Sequence, residues 1–486
     1  MKQRVSNQHD NFRYDPLLYN ADLAPMAAAR RDWNWFNMAT VWMGMVHNVV
    51  AYEAAAGLMA IGFSALQCLY IIGTAYLALC VAMWFNARSG TRYGIPFCVI
   101  IRSSFGPRGA MLPIGLRAIC AIFWFSVQAY AASQALNAIL STLWPGWAHL
   151  DQHIAGQSIQ MWLAMAMMWA LHGVIGAHGV HRIRNFELYA GPLVLIVAGV
   201  ASGWAIYVCH GVGPLFDQPS QLHGTTLWLK FGAAVTSIIG IWASYAVNIP
   251  DLSRFVRSQR DQVIGQAIGL PLTAILFTPM SILITSATVV QFGYPIWNPV
   301  DILIKINNPA LTLVGGATII IAALSVNVAG NIMPAAYDLL SIFPRQFDFN
   351  RGSKMVLFLG IGAVPWLWFD HPENIYMVLN IIASTLAPIT GIMLVDYYFI
   401  RHQKLQLNLL YVFSGPYYGQ NGWRMSAVAA MLITLFFLYS VQVFHMSALI
   451  SSMSWFVGVA LSGLIYALLN DKTEMPDTGQ EGGEAG

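Results

Sequence analysis

The stretch NMATVWMGMVHNVVAYEAAAGLMAIGF, residues 37–63, is long and apolar enough to cross a bilayer, yet its middle carries His47, Asn48 and Glu53. An acid at the centre of a membrane helix costs on the order of 3 kcal/mol on insertion scales, so it is retained where it faces a cavity or a partner. Polar groups at mid-depth therefore point either to a solute or ion site inside a bundle, or to a satisfied cluster that glues helices together.

The rest of the chain repeats the apolar pattern. Of its 486 residues, 57% are hydrophobic and 9% are charged, a balance that excludes a set of soluble domains. Segments long enough to cross a hydrocarbon core of ~30 Å recur throughout. Twelve spans are expected, at 38–62, 64–86, 109–143, 158–180, 186–209, 229–250, 262–292, 311–335, 354–369, 374–399, 425–446 and 450–469. The predicted fold class is an all-α polytopic membrane protein. Its expected parts are a tail over 1–33, five-span units over 34–212 and 213–412, two added spans over 413–470, and a disordered acidic, Gly-rich tail over 471–486.

Charge sets the expected orientation. All 24 Lys and Arg fall in the tails or in alternate connections except Lys230 and Lys305. Cations collect on the cytoplasmic side, so both termini are expected there, in a plasma or inner membrane. Arg102 and Arg108 read as topology and loop anchors within that pattern. Nothing before residue 30 has the apolar core of a cleaved signal. The net charge of +3 follows from the same bias and gives no argument for nucleic acid. The five cysteines lie in or beside apolar spans without metal-type spacing and read as packing residues. No HExxH, P-loop or nucleophile elbow occurs, and the twelve His form no metal set, so an enzyme is not expected. No cofactor and no obligate protein partner is expected; the partners are the bilayer and a small solute.

Two further segments look interrupted. The sixth span, SIIGIWASYAVNIPDLSRF (237–255), is expected to break around Gly240–Trp242, as the first does around Met45–Asn48. Paired interrupted helices at matching positions mark a midplane site in secondary transporters. The eighth span, IAALSVNVAGNIMPAAYDLL (321–340), adds Ser325, Asn327 and Asn331 ahead of Pro334. In the third, AIFWFSVQAY (121–130), Trp124 and Gln128 are four apart and share a helix face. An indole beside a carboxamide suits a flat polar heterocycle, which stacks on the ring and bonds the amide through a carbonyl and N–H edge. Trp242 is the expected opposing indole, with packing the competing role for both rings. Asn48, Asn327 and Asn331 offer neutral donor and acceptor groups, matching an imide or ureide edge, or bonds between helices.

On these segments, together with WMGMVHNVVAY (42–52), YGIPFCVIIRSSFGPRGAMLPIGLRA (93–118), AYDLLSIFPR (336–345) and LNIIASTLAPITGIMLVDYYFIR (379–401), the chain resembles the nucleobase:cation symporter-1 family. The likeness runs through most of residues 34–412. It implies two inverted five-helix repeats plus two helices, working by alternating access as a cation symporter for a nucleobase, allantoin or hydantoin. It places stacking indoles at Trp124 and Trp242 and substrate-bonding amides at Gln128 and Asn331, with Asn48 replacing a glutamine. Ile241 takes a backbone-contact position held elsewhere by glycine, and Leu379 a bulky selectivity position. The implied sodium ligands are carbonyls of Gly44, His47 and Ala322 and the hydroxyl of Ser325, while Val326 replaces a second hydroxyl. Proton coupling through His47 and Glu53 is the competing expectation, since an apolar setting disfavours a carboxylate and His titrates near neutrality. An amino-acid transporter of the same architecture is the alternative, but MVHNVV lacks the glycine cluster that would bare N–H groups to a carboxylate.

Overall fold

A computed structural model describes residues 13–176, 180–369 and 372–470. Side chains at 180–183, 368–369 and 372–375 are outside that description, as are Lys2, Arg4 and the tail from residue 471.

The opening stretch forms two helices, not one. Asn34 and Asn37 make a reciprocal cap that starts α1 (Trp35–Val46), and Asn48 caps α2 (Val49–Ile61). There follow α3 (Ala65–Tyr93), α4 (Met111–Leu143), α5 (Ile159–Gly176), α6 (Val180–Cys209) and α7 (Gly224–Asn248). The second half holds α8 (Gln259–Phe292), the short α9 (Pro299–Ile306), α10 (Pro309–Ile342), α11 (Phe349–Ile361), α12 (Pro372–Val395), α13 (Met425–Val443) and α14 (Ser454–Leu469). Among the described residues nine helices are long and apolar enough to cross a membrane. Helices α2 and α14 are shorter apolar helices, and the 13-residue α11 stands where the ninth span is expected. In the ninth span the helix starts earlier than read, at a cap from Asp348, and stops at Ile361 before Gly362 and Pro365.

The bundle is apolar on its outer surface as well as in its core. Tyr189, Val200, Phe358, Phe436 and Leu468 are each about 70% exposed or more, which suits a hydrocarbon surround. The interior holds Trp42, Trp124, Trp242 and Leu379 in one buried cluster. Helix α1 packs on α6 and α8, α4 on α10, and α7 on α3 and α12.

The sixth span corrects the sequence reading. Gly240–Trp242 do not break it; α7 runs helical from Gly224 to Asn248. A Cβ on Gly240 would lie 2.0 Å from the Leu379 carbonyl oxygen, so this glycine serves a backbone-to-backbone crossing with α12. Helix α10 widens to a π-helix over Val326–Ile332, as α8 does over Ile268–Leu272 and the chain after α12 over Asp396–Ile400. Such π-turns recur at functional sites because the extra residue redirects side chains.

The cation-rich connections share one face, tied together by the N-terminal segment. Arg102, 1% exposed, donates to the carbonyls of Leu18 and Leu410 and to Ser341 Oγ. Arg254 donates to the carbonyl of Ala24, Arg31 to that of Thr91, and Asn20 to those of Pro344 and Phe347. Arg117 is fully buried and pairs with Asp338 at 3.0 Å, joining α4 to α10, and Arg401 makes a second buried pair with Asp396 at 3.3 Å.

Candidate functional site

The chain leaves helical geometry at His47 (φ −81°, ψ 66°) and Asn48 (φ −120°, ψ 164°). Unsatisfied backbone groups there would cost roughly several kcal/mol each inside a bilayer. Asn48 meets both ends of the gap. Its Nδ2 donates to the Met45 carbonyl at 2.8 Å, and its Oδ1 accepts from Ala51 N at 3.0 Å. The same Oδ1 accepts from Gln128 Nε2 at 3.2 Å. Asn48 is thus committed to holding the break and aiming Gln128, while Gln128 Oε1 is buried with no partner among the described residues.

One turn before Gln128, the Trp124 indole N–H is likewise buried without an acceptor. An unpaired donor and an unpaired acceptor on one face of α4 are complementary to a carbonyl and an N–H of a small solute. Trp242 is differently engaged. Its N–H donates to Tyr76 Oη at 2.6 Å, and its ring meets Trp42 at 5.8 Å and 76° and Tyr245 at 5.3 Å and 60°. Both indoles are buried in the central cluster, but their rings do not touch each other in this conformation. Ile241 and Leu379 are buried beside the Gly240 crossing, on α7 and α12.

On α10 the widened turn lines up two amides. Asn331 Nδ2 donates to Asn327 Oδ1 at 2.8 Å. Asn327 Nδ2 donates to the Phe125 carbonyl at 3.1 Å and lies 2.9 Å from His172 Nε2. His172 Nδ1, 2.7 Å from the Met168 carbonyl, is the donor there, which leaves Nε2 as the acceptor. A chain of fixed polarity therefore runs from α5 through Asn327 to Asn331. His172 was missed in the sequence; its only signal is a lone imidazole in an apolar span.

The cation-site candidates come from α1 and α10. His47 and Ala322 line one apolar crevice of about 320 Å³, together with Asn48, Tyr52, Phe277 and Trp204. Ser325 is fully buried, and its hydroxyl donates to Glu187 Oε2 at 2.6 Å. Gly44 faces the same two groups: a Cβ there would lie 2.6 Å from Glu187 Oε2 and closer still to Ser325 Oγ. Val326 is buried at 4% exposure. His47 Nδ1 contacts the Met43 carbonyl, and Nε2 has no partner among the described residues. Glu53 is only half-buried on α2, with Asp301 of α9 as a neighbouring charge. The carboxyl that reaches this site is Glu187, which the sequence reading passed over because it lies near the end of an apolar span.

A many-span bundle built around a buried polar site, with one helix broken and another widened there, is the construction of a secondary transporter. Comparison agrees over nearly the whole chain. Residues 25–458 match the family model described as permease for cytosine/purines, uracil, thiamine, allantoin, and the chain belongs to that family. The allantoin permease of Bacillus subtilis (strain 168) is 41% identical over 474 residues, covering 96% of this chain and 95% of that protein. The putative allantoin permease of Escherichia coli (strain K12) is 31% identical over 483 residues, covering 98% and 99%. The fold matches Mhp1, a nucleobase-cation-symport-1 family transporter solved closed with bromovinylhydantoin bound, at TM-score 0.77 and 24% identity over 93% of this chain and 95% of that one. An inward-facing conformation of Mhp1 matches at TM-score 0.74. The chain is a permease and not an enzyme.

Proposed function

We propose that this permease imports a small, neutral, nitrogen-rich heterocycle, with allantoin the first candidate, by cation-coupled alternating access. The supporting observation is the pair of unmet groups on α4, the Trp124 N–H and Gln128 Oε1, beside the broken helix. A ureide ring presents the carbonyl and N–H edge these two require, and the relative at 41% identity is an allantoin permease. A uracil-type imide presents a similar edge, and a purine-uracil permease of Arabidopsis thaliana, 33% identical over 472 residues, favours that second reading. Asn331, Ile241, Leu379 and Trp242 complete the proposed pocket on α7, α10 and α12.

The expected movement rocks residues 34–212 against 213–412, opening the pocket to either side in turn. Solute and cation drive it only through their different affinities for the two states. The concentration of Arg on one face supports a cytoplasmic placement of that face and of both termini, in the plasma or inner membrane. Sodium held by Gly44, His47, Ala322 and Ser325 is the coupling ion this reading prefers over a proton on His47 or Glu53.

Purified protein in liposomes tests the cargo. Saturable uptake of labelled allantoin, inhibited by excess unlabelled allantoin more than by uracil, cytosine or hydantoin, is expected. Trp124→Phe retains the ring face but removes the N–H and is expected to weaken binding by about tenfold, the worth of one hydrogen bond near 1.4 kcal/mol. Uptake inhibited by amino acids and indifferent to all these rings overturns the assignment.

A further inference from the structure

Among the described residues Glu187 is the acid in contact with Ser325 and Gly44 of the candidate cation site, and its situation is anomalous. It lies on α6 inside a membrane-spanning segment, fully buried. Among the described residues its only hydrogen bond is the one donated by Ser325, and Oε1 has no partner. No Arg or Lys pairs with it among the described ion pairs. A lone carboxyl at such a place either keeps its proton or has a positive charge beside it.

The surrounding backbone converges on the same point. Gly44 of α1 has no room for a side chain because Glu187 Oε2 and Ser325 Oγ fill that space. One turn along α6, a Cβ on Gly191 would lie 2.6 Å from the Thr40 carbonyl oxygen and 3.0 Å from Gly44 N. Helix α6 therefore crosses α1 closely at Gly44 and Gly191, and the Ser325 hydroxyl of α10 and the Glu187 carboxyl fill the space beside Gly44. Val326 supplies no oxygen at the position where the resemblance puts a hydroxyl, whereas Glu187 offers an unused one.

We infer that Glu187 is a ligand of the coupling cation: its carboxylate completes an oxygen shell with Ser325 and the Gly44, His47 and Ala322 carbonyls. The ion is sodium. Hard monovalent cations take oxygen donors, and a carboxylate makes the loaded site electrically neutral. This inference rests on the cation-site reading above and deepens it. Because Glu187 belongs to α6, a bound ion ties that helix to both α1 and α10, and an empty site leaves α6 held by the Ser325 hydrogen bond and by packing.

The test uses the full chain purified in detergent, titrated with NaCl at constant ionic strength made up with choline chloride. Sodium binding is read by radiolabelled sodium and by the unfolding temperature, and allantoin binding by tryptophan fluorescence. Wild-type protein is expected to bind sodium and gain thermal stability from it, with no gain from potassium. Glu187→Gln is expected to lose tenfold or more in sodium affinity while retaining allantoin binding measured without sodium; Glu187→Asp is expected to fall between. Should the Gln variant fail to fold, hydrogen–deuterium exchange of wild-type protein decides: sodium is expected to protect residues 184–192 of α6 together with 322–331 of α10. Undiminished sodium binding in Glu187→Gln, or protection of α10 without α6, overturns the role of Glu187 alone. No sodium response in wild-type protein, with stability following pH instead, overturns the cation-site reading as well.

Discussion

Gln128 and Asn48 show how one amide prepares another. Asn48 Oδ1 accepts from both Ala51 N and Gln128 Nε2 while its Nδ2 donates to the Met45 carbonyl, so it holds the break and Gln128 together. Replacing either residue therefore has distinguishable consequences. Gln128→Met keeps the volume and removes the unpaired Oε1; it is expected to raise the Kd for allantoin about tenfold, near 1.4 kcal/mol, with little change in melting temperature. Asn48→Ala removes a helix cap and the aim of Gln128 together. It is expected to lower stability by ~1 kcal/mol as well as affinity, which thermal unfolding and fluorescence titration read side by side. Equal losses of stability in both variants would return Gln128 to a packing role.

Among the helices, the decisive joint is α4 with α10. The i, i+4 spacing of Trp124 and Gln128 puts both on one face of α4, where Gln128 meets Asn48, while the π-turn of α10 sets Asn327 against the Phe125 carbonyl and Asn331 against Asn327. Towards the cation-rich face the same two helices are pinned by Arg117 and Asp338, both fully buried. Breaking such a pair strands a charge at about 3–5 kcal/mol, whereas replacing both partners by apolar groups is often neutral. Asp338→Leu is thus expected to unfold well below wild type, and the double variant Arg117→Met/Asp338→Leu to recover most of the loss in a melting experiment. A double variant as unstable as the single one would show that the pair has no compensating role.

Across the molecule, the N-terminal segment from residue 13 to residue 34 gathers connections that are hundreds of residues apart. Arg102 donates to Leu18, Arg254 to Ala24, and Phe349 N to Asp22, while Tyr14 donates to Asn408. A chain starting at residue 33 loses these acceptors and leaves the Arg102 guanidinium without its Leu18 partner. Its melting temperature is expected to fall by several degrees relative to the full chain; an unchanged value would mean that packing of the helices alone holds that face. The tie also joins Arg102, in the first half of the chain, to Arg254, Phe349 and Asn408 in the second.

Hydrophobic periodicity and a few polar residues at mid-depth were enough to obtain the class and the break at His47–Asn48. Those features are local: a bilayer imposes a length, and an interrupted helix shows itself by the polar residues that cap it. What was not legible depended on distant contacts. Gly240 looked like a break because a glycine weakens a helix, but only the α12 backbone lying against it reveals a crossing. Asn48 stands out in the sequence as a neutral amide, but only the fold shows it capping the break and accepting from Gln128. Glu187 and His172 looked like isolated polar residues in apolar spans; their partners, Ser325 and Asn327, lie well over a hundred residues away in the chain, and only folding sets them side by side.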